Sequence, residues 1–403
     1  MLFETDRHEA LTTTPWNQVV ARTTIQAIVA DVEAARLPLG HWPVHPLDAD
    51  GAVPATGYHS MYLGSAGVIW ALWYLQKENL ATTRIDLLGA IELAAKNYQT
   101  APDTGEVVPS YFLGEVGIEL VRWRLTGSAD AADKLFTSIQ KNIPNPTNEA
   151  LWAAPGTMVA AWFLWEKTGD ARWKTLFADN VEQLWRTWLQ VPGKDFYLWT
   201  QDLYGNIVQL LGAGHGFVGN VYPLLRGASL LDAARREEIY ARCVQTLRMT
   251  AVFEDGKANW PPGIGAPRPG RASTLMQWCH GAPGVITALA DFPVNHSPEL
   301  DELLLAGGEA VWHAGPLSKG FGVCHGTAGN GYAFLTLYQR TGNAVWLDRA
   351  RAFAMHAIAQ YNSMREKYGH GRYNLWTGDL GLAVYLRHCI VGGSGLPILD
   401  IVD

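Results

Sequence analysis

The sequence predicts an all-α chain of seven two-helix units, and three observations carry that reading. First, a loop with two small residues three apart leads into an apolar run seven times: Gly64/Gly67, Gly114/Gly117, Ala153/Gly156, Gly216/Gly219, Gly281/Gly284, Gly326/Gly329 and Gly378/Gly381. The second glycines fall 39 to 65 residues apart, a period that marks a repeated supersecondary unit. Second, Thr126-Gly127-Ser128-Ala129, Thr168-Gly169-Asp170-Ala171 and Thr341-Gly342-Asn343-Ala344 follow the first helix of their units. Glycine there stops one helix at φ > 0, and the Ser, Asp or Asn after it caps the next. Third, no stretch alternates apolar and polar residues long enough to compel a β-strand. Seven such units make an open solenoid or a closed ring. A ring is favoured, because it gathers the loops of units four to six, which hold the richest chemistry, at one end of its axis.

In chain order, residues 1 to about 55 read as a lead-in and about 56 to 395 as the seven repeats, within one domain spanning 1–403. Each repeat is loop, helix, tight turn, helix. The second helix is clearest in unit three, where Trp173, Leu176, Phe177, Val181, Leu184, Trp185 and Trp188 recur at three- and four-residue steps. Ile85, Leu88, Ile91 and Ala95 make a weaker stripe in unit one. Two segments break the pattern. Residues 253–273 are rich in Pro and Gly and enter unit five just before Cys279; Arg268 and Arg271 in that loop could meet an anion, with solvated surface the plainer reading. Residues 362–373 are polar and glycine-containing, with no role legible.

Bulk composition removes several classes of function. The net charge is −7 with basic residues dispersed, so no nucleic-acid footprint is present. The acidic N-terminus lacks the apolar core of a signal peptide, and no apolar run reaches the ~20 residues needed to cross a bilayer. A cytoplasmic protein is expected. Four cysteines in 403 residues are too few for a disulfide framework. Cys243 and Cys389 lie in apolar helical runs and read as core, and the 17 Trp read as helix-packing bulk.

The remaining cysteines differ. Cys324 and His325 are adjacent in a glycine-rich loop, and Cys279 occupies the equivalent loop 45 residues earlier. Two thiolates and one imidazole form a zinc set that leaves a fourth position open; buried free cysteines are the plainer alternative. His280 is then the spare histidine, a candidate to line a substrate pocket. His215 holds the corresponding place on the fourth loop and is a candidate general acid or base. Glu149, four residues before the third loop, is a candidate to orient it. Lys319, five residues before Cys324, is a candidate to meet a carboxylate. Both also read as ordinary solvated charges.

These residues carry a resemblance. Trp278-Cys279-His280-Gly281-Ala282-Pro283-Gly284, Gly322-Val323-Cys324-His325-Gly326-Thr327-Ala328-Gly329-Asn330, Gly212-Ala213-Gly214-His215-Gly216 and Trp260-Pro261-Pro262-Gly263-Ile264-Gly265 resemble the lanthionine synthetase C-like family, and the sevenfold ladder extends the likeness over nearly the whole chain. The resemblance implies an (α/α)7 double toroid with one zinc at its mouth, held by Cys279, Cys324 and His325. It places the family's acid/base histidine on His215 and its accompanying acid on Glu149, in place of aspartate. The implied reaction is zinc-dependent addition of a thiol, from glutathione or a peptide cysteine, to a dehydroalanine or dehydrobutyrine in a peptide or protein, forming a thioether. Leu275 stands where dedicated cyclases have arginine, His280 where they often have tyrosine, and Lys319 matches a Lys-Gly-x-Gly-x-Cys-His-Gly pattern. All three resemble the glutathione-binding branch. A toroid without the dehydratase domain of the fused bifunctional type is expected. A dedicated lanthipeptide cyclase and a non-catalytic zinc- and glutathione-binding scaffold stay open. A toroidal carbohydrate enzyme would want paired carboxylates, for which the loops offer only Glu149, Glu115 and Asp379.

Overall fold

Half of the helices begin with a side-chain cap and half without, and the difference sorts them into two layers. The computed structural model describes residues 1–49, 53–265 and 274–402. Among these residues, α2 (Ser65–Lys77), α4 (Glu115–Thr126), α6 (Ala154–Thr168), α8 (Phe217–Arg226), α10 (Ala282–Ala288), α12 (Thr327–Thr341) and α14 (Asp379–Val391) follow the repeated loops and have no side-chain cap. Backbone carbonyls take over that task. The first helical N–H of α2, α4, α8, α12 and α14 donates to the carbonyl seven residues earlier, for example Thr327 to Gly320 at 2.8 Å. Buried helix ends need such partners. The second small residue of each loop lies against the carbonyl six residues before it. At Gly117 or Gly329 a Cβ would overlap the Tyr111 or Val323 oxygen, so glycine is required for this close approach.

The other seven helices are capped by polar side chains. They are α1 (Gln18–Ala34) by Asn17, α3 (Leu87–Thr100) by Asp86, α5 (Ala129–Asn142) by Ser128, α7 (Ala171–Thr187) by Asp170, α9 (Ala233–Thr250) by Asp232, α11 (Pro298–Ala314) by Ser297 and α13 (Ala344–Tyr368) by Asn343. Gly127, Gly169 and Gly342 end the helices before α5, α7 and α13 in left-handed conformation, as the Thr-Gly turns predict.

The uncapped helices pack in sequence order, α2 on α4, α4 on α6, and so on until α14 packs on α2, which closes the ring. They are apolar on nearly every side, as helices walled in all round must be. The capped helices lie outside them, each showing one apolar stripe. The result is an (α/α)7 double toroid. Helix α1, from the stretch read as a lead-in, packs against α14 and α13 and so stands as the outer partner of α14. Residues 396–402 enter the axis. Tyr111 Oη donates to the Ile398 carbonyl, Trp70 Nε1 to the Val402 carbonyl at 3.4 Å, and Tyr222 Oη to Asp400 at 2.8 Å.

Several details depart from expectation. Three two-stranded hairpins follow α7 and α9: β1–β2 (Leu189–Gln190, Tyr197–Leu198), β3–β4 (Gln201–Leu203, Asn206–Val208) and β5–β6 (Val252–Glu254, Lys257–Asn259). Their strands, two or three residues long, are too short to show alternation. The last therefore occupies the start of the 253–273 segment, while Arg268 and Arg271 lie outside the described residues. The 362–373 segment is helical through Tyr368, as the last turns of α13. In α3 the buried face is Ala90, Ile91, Ala94, Ala95 and Tyr98, and Leu88 points to solvent at 51% exposure. Small alanines pass the helix close to its neighbours, so the heavier Leu88 is not needed inside.

Candidate metal centre

The repeat register decides what reaches the mouth of the axis. Two positions before the first small residue of each loop stand Tyr62, Phe112, Leu151, Gly214, Cys279, Cys324 and Trp376; one position later, loops four to six carry His215, His280 and His325. Backbone hydrogen bonds tie neighbouring loops together. Cys279 N donates to the Cys324 carbonyl at 3.1 Å, Gly214 N to the Cys279 carbonyl at 3.3 Å, and Cys324 N to the Trp376 carbonyl at 2.8 Å. A cavity of about 1000 Å³ opens there, lined by Tyr62, Leu151, Gly214, His215, Cys279, His280, Lys319, Cys324 and His325 among others.

The ligand atoms of Cys279, Cys324 and His325 lie within 4.8 Å of one another, and both thiols are buried. The residues fit a soft divalent cation. The set is two sulfurs and one imidazole nitrogen with no carboxylate, which selects zinc over harder ions. The two thiols share a hydrogen bond. It pulls Cys279 below the ordinary thiol range, against burial and with help from His215, and pushes Cys324 above it. Burial, with Lys319 next, lowers His325 to about 3, so its imidazole is neutral and its lone pair free. Each sulfur also has a neutral neighbour. Gln277 Nε2 donates to Cys279 Sγ at 3.0 Å, and the Tyr62 hydroxyl bonds Cys324. Such donors around the ligands orient them and temper their charge.

Beside the cluster, His215 Nδ1 bonds Glu149 Oε2 at 2.9 Å. Burial pulls the His215 pKa down, but the Glu149 carboxylate and the nearby Cys279 outweigh it, and the net shift is upward. Glu149 is wholly buried and also accepts the Leu151 and Trp152 N–H groups at 3.0 and 2.7 Å. The same offset in other loops does the same local work, since Ser110 and Asn374 accept from Leu113 N and Thr377 N. Glu149 thus closes its own loop and reaches His215 on the next. His280 lies with its ring 5.9 Å from that of His215; its Nδ1 is buried without a hydrogen-bond partner, and burial followed by the His215 charge lowers it to about 3.

Lys319 is exposed on the cavity wall, joined there by Arg7, which the sequence reading passed over. Arg7 is brought in by tertiary contact alone, with Ser318 N donating to its carbonyl at 3.0 Å. Tyr62 and Gln277 were also passed over. Tyr62 had a signal: it holds the place in loop one that the cysteines hold in loops five and six. No carboxylate lines the cavity among the described residues.

Fold and site together define a helical toroid with a thiol–imidazole cluster at the mouth of its axis. The chain belongs to the lanthionine synthetase C-like family, whose model matches residues 57–393. It is 35% identical over 159 residues to a glutathione S-transferase LANCL1 of Danio rerio, a match covering 39% of this chain and 36% of that protein. It is 36% identical over 177 residues to the LanC-like protein GCL1 of Arabidopsis thaliana, covering 42% of this chain and 38% of that one. The matches thus span little more than a third of the length of these relatives. The structure of nisin cyclase superposes with a TM-score of 0.63 at 14% identity, over 92% of this chain and 94% of that one, a likeness of fold. No helix among the described residues is long and apolar enough to cross a membrane.

Proposed function

We propose that this protein joins a thiol to a dehydroamino acid, with glutathione as the thiol donor. The observation that carries the reading is the single cavity in which a Cys279–Cys324–His325 cluster faces a histidine held by a buried glutamate. Cys279, Cys324 and His325 would hold zinc, which supplies a Lewis acid that favours the thiolate form of a thiol near neutral pH. Gln277 and Tyr62 hold the two cysteine sulfurs in place for that task.

The donor's sulfur bonds to the β-carbon of the dehydroalanine or dehydrobutyrine, and the electron pair of the C=C bond moves toward the adjacent carbonyl. His215 keeps Nδ1 on Glu149, which leaves Nε2–H for the substrate. It stabilises that developing charge and delivers a proton to the α-carbon, and the thiol's own proton restores the imidazolium, so atoms and charge balance. Neutral His280 lines the pocket beside it. Arg7 and Lys319, in a cavity wall with no carboxylate among the described residues, favour an anionic donor, and glutathione carries two carboxylates. The glutathione S-transferase name of the zebrafish relative supports the same donor.

Intact-mass analysis of a dehydroalanine peptide incubated with glutathione and the protein tests the reading. A gain of one glutathione that is lost on zinc removal, in Cys324→Ala and in His215→Ala is the expected result. No gain from zinc-loaded protein sinks the glutathione reading. Ring closure in a cysteine-containing dehydropeptide would then identify a cyclase, and binding of zinc and glutathione without any adduct would identify a scaffold.

A further inference from the structure

The walls of the cavity differ in chemistry, and the difference sorts the two reactants. On the side of the N-terminal segment and the sixth loop stand Arg7 and Lys319. On the side of the third and fourth loops stand Leu151, Leu203, Ile207, Val208 and, from the segment after β6, Ile264. This second wall is built to hold its shape. Tyr204 and Gly205 turn the β3–β4 hairpin with φ of 54° and 75°, as a two-residue turn of matching twist requires. The Tyr204 hydroxyl accepts Trp152 Nε1 at 2.8 Å. Past β4 the chain is bridged to the next segment, with Leu211 N on the Pro262 carbonyl at 2.9 Å and Ile264 N on the Gln209 carbonyl at 3.0 Å. Leu203 and Val208 share one face of the hairpin, and Ile207, from the other face, reaches the rim at 71% exposure.

His215 lies seven residues beyond Val208 on the same stretch of chain. A proton passing from His215 to the α-carbon places the acceptor's backbone on this side, and the residues flanking that carbon then run along the hairpin. The opposite, cationic side is left to the donor. Resting on the thiol-addition reading, we infer that the β3–β4 hairpin with Ile264 is the acceptor's docking wall, and that it selects a polypeptide in which a bulky apolar residue neighbours the dehydroamino acid. A carboxylate at that neighbouring position would lose water against Leu203, Ile207 and Val208, and it would meet the like charge of Asp202, which pairs with Ile207 on the same face of the hairpin.

Two measurements test this. Competing dehydroalanine peptides that differ only in the neighbouring residue, Leu against Asp, are offered with glutathione, and the ratio of their kcat/KM values is read. Partial burial of one leucine predicts a preference of about tenfold for the Leu peptide. Ile207→Asp and Leu203→Ser should bring the ratio close to one. Leu189→Asp, at a similarly exposed apolar residue on the β1–β2 hairpin that does not line the cavity, should leave it unchanged. In parallel, fluorescence anisotropy follows binding of the same peptides with alanine in place of dehydroalanine. Binding that favours Leu and weakens in Ile207→Asp supports the docking wall even if no adduct ever forms, which would separate it from a failure of the thiol-addition reading. Equal rates or equal binding for Leu and Asp peptides, or a preference that survives both wall substitutions, overturns it.

Discussion

Glu149 has no exposed surface and spreads its charge over two loop N–H groups and one imidazole. Because it raises the His215 pKa, its loss has a signed consequence under the proposed role. A proton donor loses activity as pH rises through its pKa, so Glu149→Gln should move the alkaline limb of the rate profile to lower pH, which a kcat/KM profile would show. An unchanged limb would remove His215 from the proton-transfer step. At the proposed zinc site, Cys324→Ala leaves one thiol and one imidazole. Zinc content by mass spectrometry should fall from stoichiometric to near zero, with helical circular dichroism retained. Most of this neighbourhood was legible beforehand because the repeats put comparable positions in comparable places. Cys279 and Cys324 share one register, and His215, His280 and His325 share the next. Tyr62 was legible by the same rule but hides among ordinary loop aromatics. Arg7 was not, since only the folded ring brings residue 7 beside residue 318.

Among the elements, two glycines of one unit make different demands. Gly127 ends α4 at a φ of 67° with open space where a Cβ would go, so Gly127→Ala costs only backbone strain, about 1 kcal/mol. Gly117 has an ordinary φ, but a Cβ there meets the Tyr111 carbonyl and the Met61 side chain, so Gly117→Ala should cost about 3 kcal/mol. Urea denaturation of both variants gives the ranking. Asp379, the first residue of α14, is wholly buried, and burial pushes its carboxyl up to about 7 against the pull of the Arg372 N–H. The folded state therefore keeps a proton that the unfolded chain releases, and stability falls as pH rises from about 4 toward 7. Asp379→Asn keeps an acceptor for that N–H. Its Tm should exceed the wild type's at pH 8 by a few degrees, with the gap closing toward pH 4. The caps and glycines that define these elements are strong local signals, so helices and loops could be read in advance. The hairpins could not, because three-residue strands draw their stability from the loops they rest on.

For the molecule as a whole, zinc would tie the fifth loop to the sixth, and the seventh supports the sixth through the Trp376 carbonyl. A ligand that binds only the folded ring raises its stability, by about 4 kcal/mol at a thousandfold excess over Kd. Chelation should therefore lower the Tm by several degrees with the helical spectrum unchanged below the transition. The seam of the ring has a different consequence, one of timing. Helix α1 covers its Ile25, Ile28, Val29 and Val32 stripe with α14 and α13, yet residues 18–34 leave a ribosome long before residues 379–391 do. At about 5–20 residues per second, that interval is on the order of 20 to 70 s. Throughout it, α1 is an unpaired apolar helix in search of a sticky surface, and a natural client for a chaperone. The Cys324 loop waits far less for the backbone of Trp376, which follows 52 residues later, about 3 to 10 s at the same rate, but both lie near the end of the chain, so the cluster is among the last parts of a newborn chain to take shape.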